Sequence, residues 1–202
     1  MKINNMSSMI YNTYNKKNID IACKFLLEGK LIIHSTDTLY GFAADATNDK
    51  TILQLNNIKQ RIKPLSIIVN SIDMLRKYSR INNQIENKIK KIFPGPFTVI
   101  LQKNKNNLSS LVSLDLETIG IRIPNNKFIL DCINKLQIPL ITTSVNIHGQ
   151  EPLNDLELIK KEYSNFNIFT DEIHRESIGS TIIDYSSCPY RIIRQGDKHI
   201  KI

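Results

Sequence analysis

The sequence predicts an α/β domain: a twisted, mostly parallel or mixed sheet flanked by helices. Three observations lead there. Short apolar, β-branched runs of strand length alternate with apolar segments of helical period along most of the chain. The chain has 202 residues, which suits one domain with a single core. Its composition is 41% hydrophobic and 23% charged, ordinary for a globular protein. No apolar run approaches the ~18–20 residues a helix needs to cross a bilayer, so no membrane partner is expected. The Asn- and Lys-rich start carries no apolar core of a secretory signal. Cys23, Cys132 and Cys188 lie far apart, without a CxxC pair. That spacing argues against a disulfide framework or a cysteine zinc module and fits a reducing cytoplasm.

The elements follow in order. Residues 1–17 are polar and uneven and read as a flexible N-terminal arm, leaving residues 18–202 as a single domain. Asn18 is placed to cap a helix through Ile19, Ala22 and Leu26 that closes at Gly29. Leu31-Ile32-Ile33 is a buried strand, and residues 35–46, small and polar, read as a loop. Ile52, Leu55 and Ile58 mark a helix over 51–59, and Pro64 precedes a strand over 65–69. Ser71 caps a short helix, and Ile85, Ile89 and Ile92 share one face of a helix over 84–93. Pro94-Gly95-Pro96 stops it. A strand over 97–101, a polar loop over 104–116 and a strand over 119–123 follow. Then come a helix over 128–136, a strand over 140–143 and a helix over 155–163. Strands over 168–170, 181–184 and 190–194 complete the pattern.

The net charge is +8 and its distribution is uneven. Residues 50–105 contain 12 Lys or Arg against 2 Asp or Glu, so that stretch carries +10 and the remainder about −2. A phosphate-bearing ligand or RNA fits such a stretch, and so does a solvated lysine-rich face. The chain is also rich in Ile, Asn and Lys, with 20 Lys against 7 Arg, a bias that an AT-rich genome produces by itself.

Four polar clusters fall at or near strand ends, where open α/β sheets bind ligands. They are Ser35-Thr36-Asp37-Thr38-Leu39-Tyr40-Gly41, Thr142-Thr143-Ser144-Val145-Asn146, Gly120-Ile121-Arg122-Ile123-Pro124 and Arg194-Gln195-Gly196. Arg122 is the most informative, a lone charge inside an apolar strand, pointing opposite to Ile121 and Ile123. Such a charge costs several kcal/mol unless paired. Either an acid across the sheet meets it, or its guanidinium fork takes a ligand carboxylate or phosphate. Lys59, Arg61 and Lys63 end a helix, where cations answer the macrodipole at ~0.3–1 kcal/mol each; they also suit a clamp on phosphates. No P-loop, dinucleotide fingerprint, HExxH or His/Cys cluster is present, so no protein metal site is predicted. His34, His148, His174 and His199 are scattered and read as structural or surface residues. The candidate residues are hydroxyls, amides and cations, a set that binds and orients.

These clusters, with Lys63-Pro64-Leu65-Ser66, Phe93-Pro94-Gly95-Pro96-Phe97-Thr98 and Gly179-Ser180-Thr181-Ile182-Ile183-Asp184, occur in one order over residues 18–197. In that order and spacing the chain resembles the YrdC-like threonylcarbamoyl-AMP synthases, in their short, single-domain form. The resemblance implies a YrdC-like fold with a positively charged cavity. It also implies a nucleotidyltransfer reaction. Threonine and bicarbonate combine as a carbamate, which attacks the α-phosphate of ATP to give threonylcarbamoyl-AMP and pyrophosphate. A partner transferase then modifies an adenosine beside the tRNA anticodon.

Carried over by position, Lys59, Arg61, Ser144 and Asn146 match the family's tetrad around the phosphates. Lys63, Thr118 and Arg194 fall where the family contacts ATP. Thr38, Arg122, Thr142 and Ser180 fall where it holds threonine. Mg²⁺ is expected on the phosphates rather than in a protein cage. The chain departs from the family in places: His34 stands where Pro is usual, Val145 where Ala is, and His148 where Ser is. The segment from Arg61 to Pro64 is also about two residues shorter. The competing reading is a factor that binds double-stranded RNA or the ribosome through the same basic surface.

Overall fold

The structure is a computed structural model describing residues 9–105, 107–173 and 176–200. Residues 1–8 of the expected arm, and His174, lie outside the described residues. The first half contains β1 (Ile10–Asn12), α1 (Lys17–Leu27), β2 (Ile32–His34), β3 (Gly41–Asp45), α2 (Asp49–Lys59), β4 (Ser66–Ile68), α3 (Ile72–Tyr78), β5 (Ser79–Arg80) and α4 (Asn83–Ile89). The second half contains β6 (Phe97–Lys103), α5 (Ser110–Ser113), β7 (Thr118–Arg122), α6 (Lys127–Leu136), β8 (Leu140–Ser144), α7 (Leu156–Glu162), β9 (Asn167–Thr170), β10 (Thr181–Asp184) and β11 (Arg191–Arg194).

Local chemistry explains most boundaries. The side chains of Asn48, Ser71, Asn82, Asn126 and Asp155 accept hydrogen bonds from the first-turn amides of α2, α3, α4, α6 and α7. Gln60 and Gln137 end α2 and α6 in the left-handed region, at φ +50° and +56°. Asn18 does not cap α1. It lies inside the helix, which starts at Lys17 without a side-chain cap, and its amide nitrogen donates to the Asn12 carbonyl at 2.8 Å.

That contact lies at an ordered sheet edge. Residues 10–12 are not part of a loose arm: they form β1, which pairs in parallel with β9, and Tyr11 stacks on Phe169 at 4.7 Å. Tyr11, packed on the core in an Asn-rich stretch, docks this edge, while Ile10 stays exposed. The predicted loop over 35–46 stops at residue 40, because β3 begins at Gly41 and runs through the sheet centre. Its small residues have weak strand propensity and are held by neighbours on both sides. A one-turn helix, α5, interrupts the loop over 104–116, and β5 adds a short antiparallel pair to β6.

Among the described residues the sheet runs β1-β9-β2-β3-β8-β4-β7-β6-β10-β11, with β5 paired to β6. It is mixed, as expected, with a larger antiparallel share than simple alternation suggests. Pairs β1–β9, β2–β9, β4–β7 and β6–β10 are parallel and the rest antiparallel. Ile67, Val99, Ile121, Ile141 and Ile183 are fully buried in the core, each contributing about 1.5–3 kcal/mol. The alternate positions, Ser66, Ile68, Thr98, Arg122, Thr142, Ser144 and Ile182, line a cavity instead. The site therefore lies across one face of the sheet rather than beyond strand carboxyl ends. In a mixed sheet those ends do not gather on one edge, whereas the period of two gathers alternate residues on one face. No helix among the described residues is long and apolar enough to cross a membrane.

Candidate active site

The cavity has a volume of about 500 Å³, within the range of small-molecule sites. Nine of the eleven predicted site residues line it: Thr38, Lys59, Arg61, Arg122, Thr142, Ser144, Asn146, Ser180 and Arg194. Lys63 is exposed and does not line it, although its charge is felt at His148 on the rim. Thr118 shares the face of Gly120 and Arg122 at the start of β7 but also lies outside the lining.

Three of the predicted phosphate residues form one network. Lys59, the last residue of α2, is 2% exposed, and its ammonium donates to the Ser144 carbonyl at 2.7 Å and to Asn146 Oδ1 at 2.5 Å. Ser144 Oγ donates to the same Oδ1 at 2.7 Å, and Asn146 Nδ2 donates to the Gln150 carbonyl at 2.6 Å. An ammonium has three donors, so one is left for a ligand. Burial, reinforced by the Arg61 charge, pushes Lys59 down to about 8. Arg61 joins through His148, which donates its backbone N–H to the Lys59 carbonyl at 3.0 Å and places Nδ1 3.5 Å from an Arg61 terminal nitrogen. Burial also lowers Arg61, and its Nε has no partner. Two cations with spare donors and no ion pair among the described residues suit an anion with many oxygens.

Arg122 meets an acid, as one of the two sequence readings expected. Its Nη2 donates to Asp37 at 2.6 Å and its Nη1 to Thr38 Oγ1 at 3.2 Å, while its Nε is buried without a partner. Asp37 spends its other oxygen on the Asn125 amide at 3.0 Å. The acid is therefore real, and it comes from the loop over 35–40 rather than from across the sheet. The pair neutralises the buried charge and holds the guanidinium in place.

The last cluster joins β10 to β11. Arg194 donates from Nε and Nη2 to the Ser180 carbonyl at 3.1 and 2.7 Å, and Ser180 Oγ lies 2.9 Å from Thr98 Oγ1. Three residues carry no role in the sequence reading: Asp37, whose signal is the need of Arg122 for a partner; Thr98, whose signal is its place in the Pro-Gly-Pro-Phe-Thr motif; and His34. His34 is 1% exposed, and its Nε2 lies 3.3 Å from Thr142 Oγ1.

An α/β sheet carrying buried cations, hydroxyls and one paired arginine across an open face defines a binder of small anionic substrates. The chain belongs to the Sua5/YciO/YrdC family, whose profile, described as "Telomere recombination", matches residues 24–196. A Methanocaldococcus jannaschii protein assigned to the threonylcarbamoyl-AMP synthases is 42% identical over 150 residues, covering 73% of this chain and 69% of its own. The threonylcarbamoyl-AMP synthase of Vibrio campbellii is 27% identical over 187 residues, 89% of this chain and 100% of its own. The crystal structure of P. abyssi Sua5 complexed with L-threonine superposes with a TM-score of 0.83 at 26% identity. It is matched by 94% of this chain, which spans 58% of that longer one.

Proposed function

We propose that the protein is an L-threonylcarbamoyladenylate synthase. The observation that carries this reading is the convergence of nine predicted residues from six separate segments on one polar cavity. In the first step the ammonium group of L-threonine and bicarbonate give a carbamate, with loss of water and a proton. A carbamate oxygen then bonds to the α-phosphorus of ATP, and the bond from that phosphorus to the bridging oxygen breaks. Pyrophosphate leaves with the electron pair. The carbamate supplies the nucleophile, so the chain needs only to bind, orient and neutralise charge.

Lys59 and Arg61, with Ser144 and Asn146 fixing the ammonium, answer the charge that builds on the phosphates. Arg194 supports the same nucleotide across the cavity, and Lys63 meets it from the rim. Arg122, held by Asp37, takes the threonine carboxylate through its guanidinium, with Thr38, Thr142 and Ser180 on the other polar groups. Thr118 lies outside the lining, so its nucleotide contact is the weakest of the predicted set. Mg²⁺ enters as part of the nucleotide substrate. The product would pass to a transferase acting on tRNA, and a cytoplasmic location fits that role.

Pyrophosphate release tests the reading. Release that needs ATP, bicarbonate and L-threonine together is the expected result; release indifferent to threonine would overturn it. The basic stretch gives the RNA reading less support than its total charge suggests. Arg76 is paired with Asp73 and Glu86, Lys90 with Glu86, and Lys88 lies over the Tyr190 ring. Tight, salt-dependent binding of double-stranded RNA without threonine-dependent pyrophosphate release would favour that alternative.

A further inference from the structure

We propose that His34 is a positioning residue that turns the Thr142 hydroxyl into a hydrogen-bond acceptor facing the cavity, and so fixes the amine of the substrate there. The inference rests on the synthase reading and adds a residue and a substrate orientation to it.

The geometry begins with strand register. His34 ends β2 opposite Gly41 of β3, and Gly41 in turn lies opposite Ser144 of β8. Residues directly opposite in an antiparallel pair share a face, so His34, Gly41, Ser144 and Thr142 all face the same way. The imidazole reaches Thr142 across β3, which is open there because Gly41 has no side chain. A Cβ on Gly41 would sit 2.7 Å from Thr142 Oγ1 and 3.3 Å from the Thr143 carbonyl. His34 itself lies behind the lining, and Thr142 belongs to it.

The proton positions follow from the partners. His34 Nδ1 is 2.8 Å from the Ser35 carbonyl, which only accepts, so Nδ1 carries the hydrogen. Burial holds the ring neutral, down to about 4, and Nε2 is then a bare acceptor. The Thr142 hydroxyl must donate to Nε2, 3.3 Å away. Its lone pairs are left for a donor from the cavity. A carboxylate or carbamate oxygen cannot supply one, but the ammonium, amine or carbamate N–H of the substrate can; its β-hydroxyl is the other donor, and 3-hydroxybutanoate retains it. Arg122 has the complementary character, a buried Nε donor without a partner. The amine therefore goes to Thr142 and the carboxylate to Arg122.

Calorimetric titration of the full chain with L-threonine, ATP and 3-hydroxybutanoate tests this. The last ligand keeps the carboxylate and the hydroxyl and lacks the amine. His34→Ala should weaken threonine about tenfold, the worth of one hydrogen bond. It should leave ATP and 3-hydroxybutanoate within about twofold of the wild type. His34→Gln, which puts an amide oxygen near the place of Nε2, should restore most of the loss. Threonine bound equally by wild type and His34→Ala would overturn the proposal, and so would equal weakening of threonine and 3-hydroxybutanoate. Nitrogen-15 NMR of the wild-type imidazole gives a reading that needs no variant: hydrogen on Nδ1 supports the proposal and hydrogen on Nε2 overturns it. If the wild type binds no threonine, the synthase reading fails and the orientation falls with it. Threonine binding that is insensitive to His34 sinks the orientation alone.

Discussion

Lys59 shows how burial sets the working range of a single residue. Its folded-state value is about 8, below the ordinary lysine value because burial disfavours the ammonium. Depressed in this way, the charged form prevails below about pH 8 and is lost above it. Only the charged form would hold phosphate in the proposed role, so kcat/KM for ATP should fall as pH rises through about 8. Lys59→Arg, charged at every accessible pH, should push that fall higher even if activity drops; an unmoved profile would detach the titration from Lys59. Arg122 makes a second case. Both partners of its pair with Asp37 are nearly buried, at 8% and 11% side-chain exposure. Arg122→Ala leaves Asp37 uncompensated and should cost about 3–5 kcal/mol in chemical denaturation. It should also raise KM for threonine far more than KM for ATP; equal rises would contradict a carboxylate role. Arg122 was legible in the sequence because a charge between isoleucines requires a partner. The identity of Asp37 was not, because nothing local tells which loop folds back over the sheet.

Elements place these side chains, and their junctions are the sensitive points. Gly196 packs on backbone: a Cβ there would come within 2.2 Å of the Gly179 carbonyl oxygen and 2.6 Å of the Thr181 nitrogen. Its own N–H donates to Thr181 Oγ1 at 2.9 Å. The contact fixes the chain after β11 against the start of β10, where Arg194 meets Ser180. Gly196→Ala should force that junction apart and lower stability by about 1–3 kcal/mol, as overpacking does. ATP affinity should fall with it, while the α1–α6 side of the sheet keeps its amide hydrogen-exchange protection. Uniform loss of protection would show that the junction is not local. Helices with a polar cap and a periodic apolar face, such as α2 and α6, were legible to within a residue or two. The Gly-Phe-Ala-Ala strand β3 was hidden, since its conformation comes from β2 and β8 rather than from its own propensity. Edge strand β1 was hidden by its asparagines.

At the scale of the molecule, the sequence motifs predicted which residues line the cavity better than where the cavity lies. Nine residues meet in one cavity, yet across the sheet face rather than at an edge, because strand direction is a tertiary property that no local pattern carries. Thr118 and Lys63 match motif positions but stay outside the lining, since position along a strand or loop does not report depth. The charge divides in the same way: Lys59 and Arg61 serve the cavity, while Arg76, Lys88 and Lys90 are engaged by neighbours on the surface. The central claim is that one cavity joins threonine, bicarbonate and the nucleotide. Mass spectrometry of the product made from ¹³C-bicarbonate, L-threonine and ATP tests it most directly. A threonine–AMP adduct carrying one labelled carbon is the predicted result. Unlabelled AMP or ADP, with no threonine-containing adduct, would contradict it.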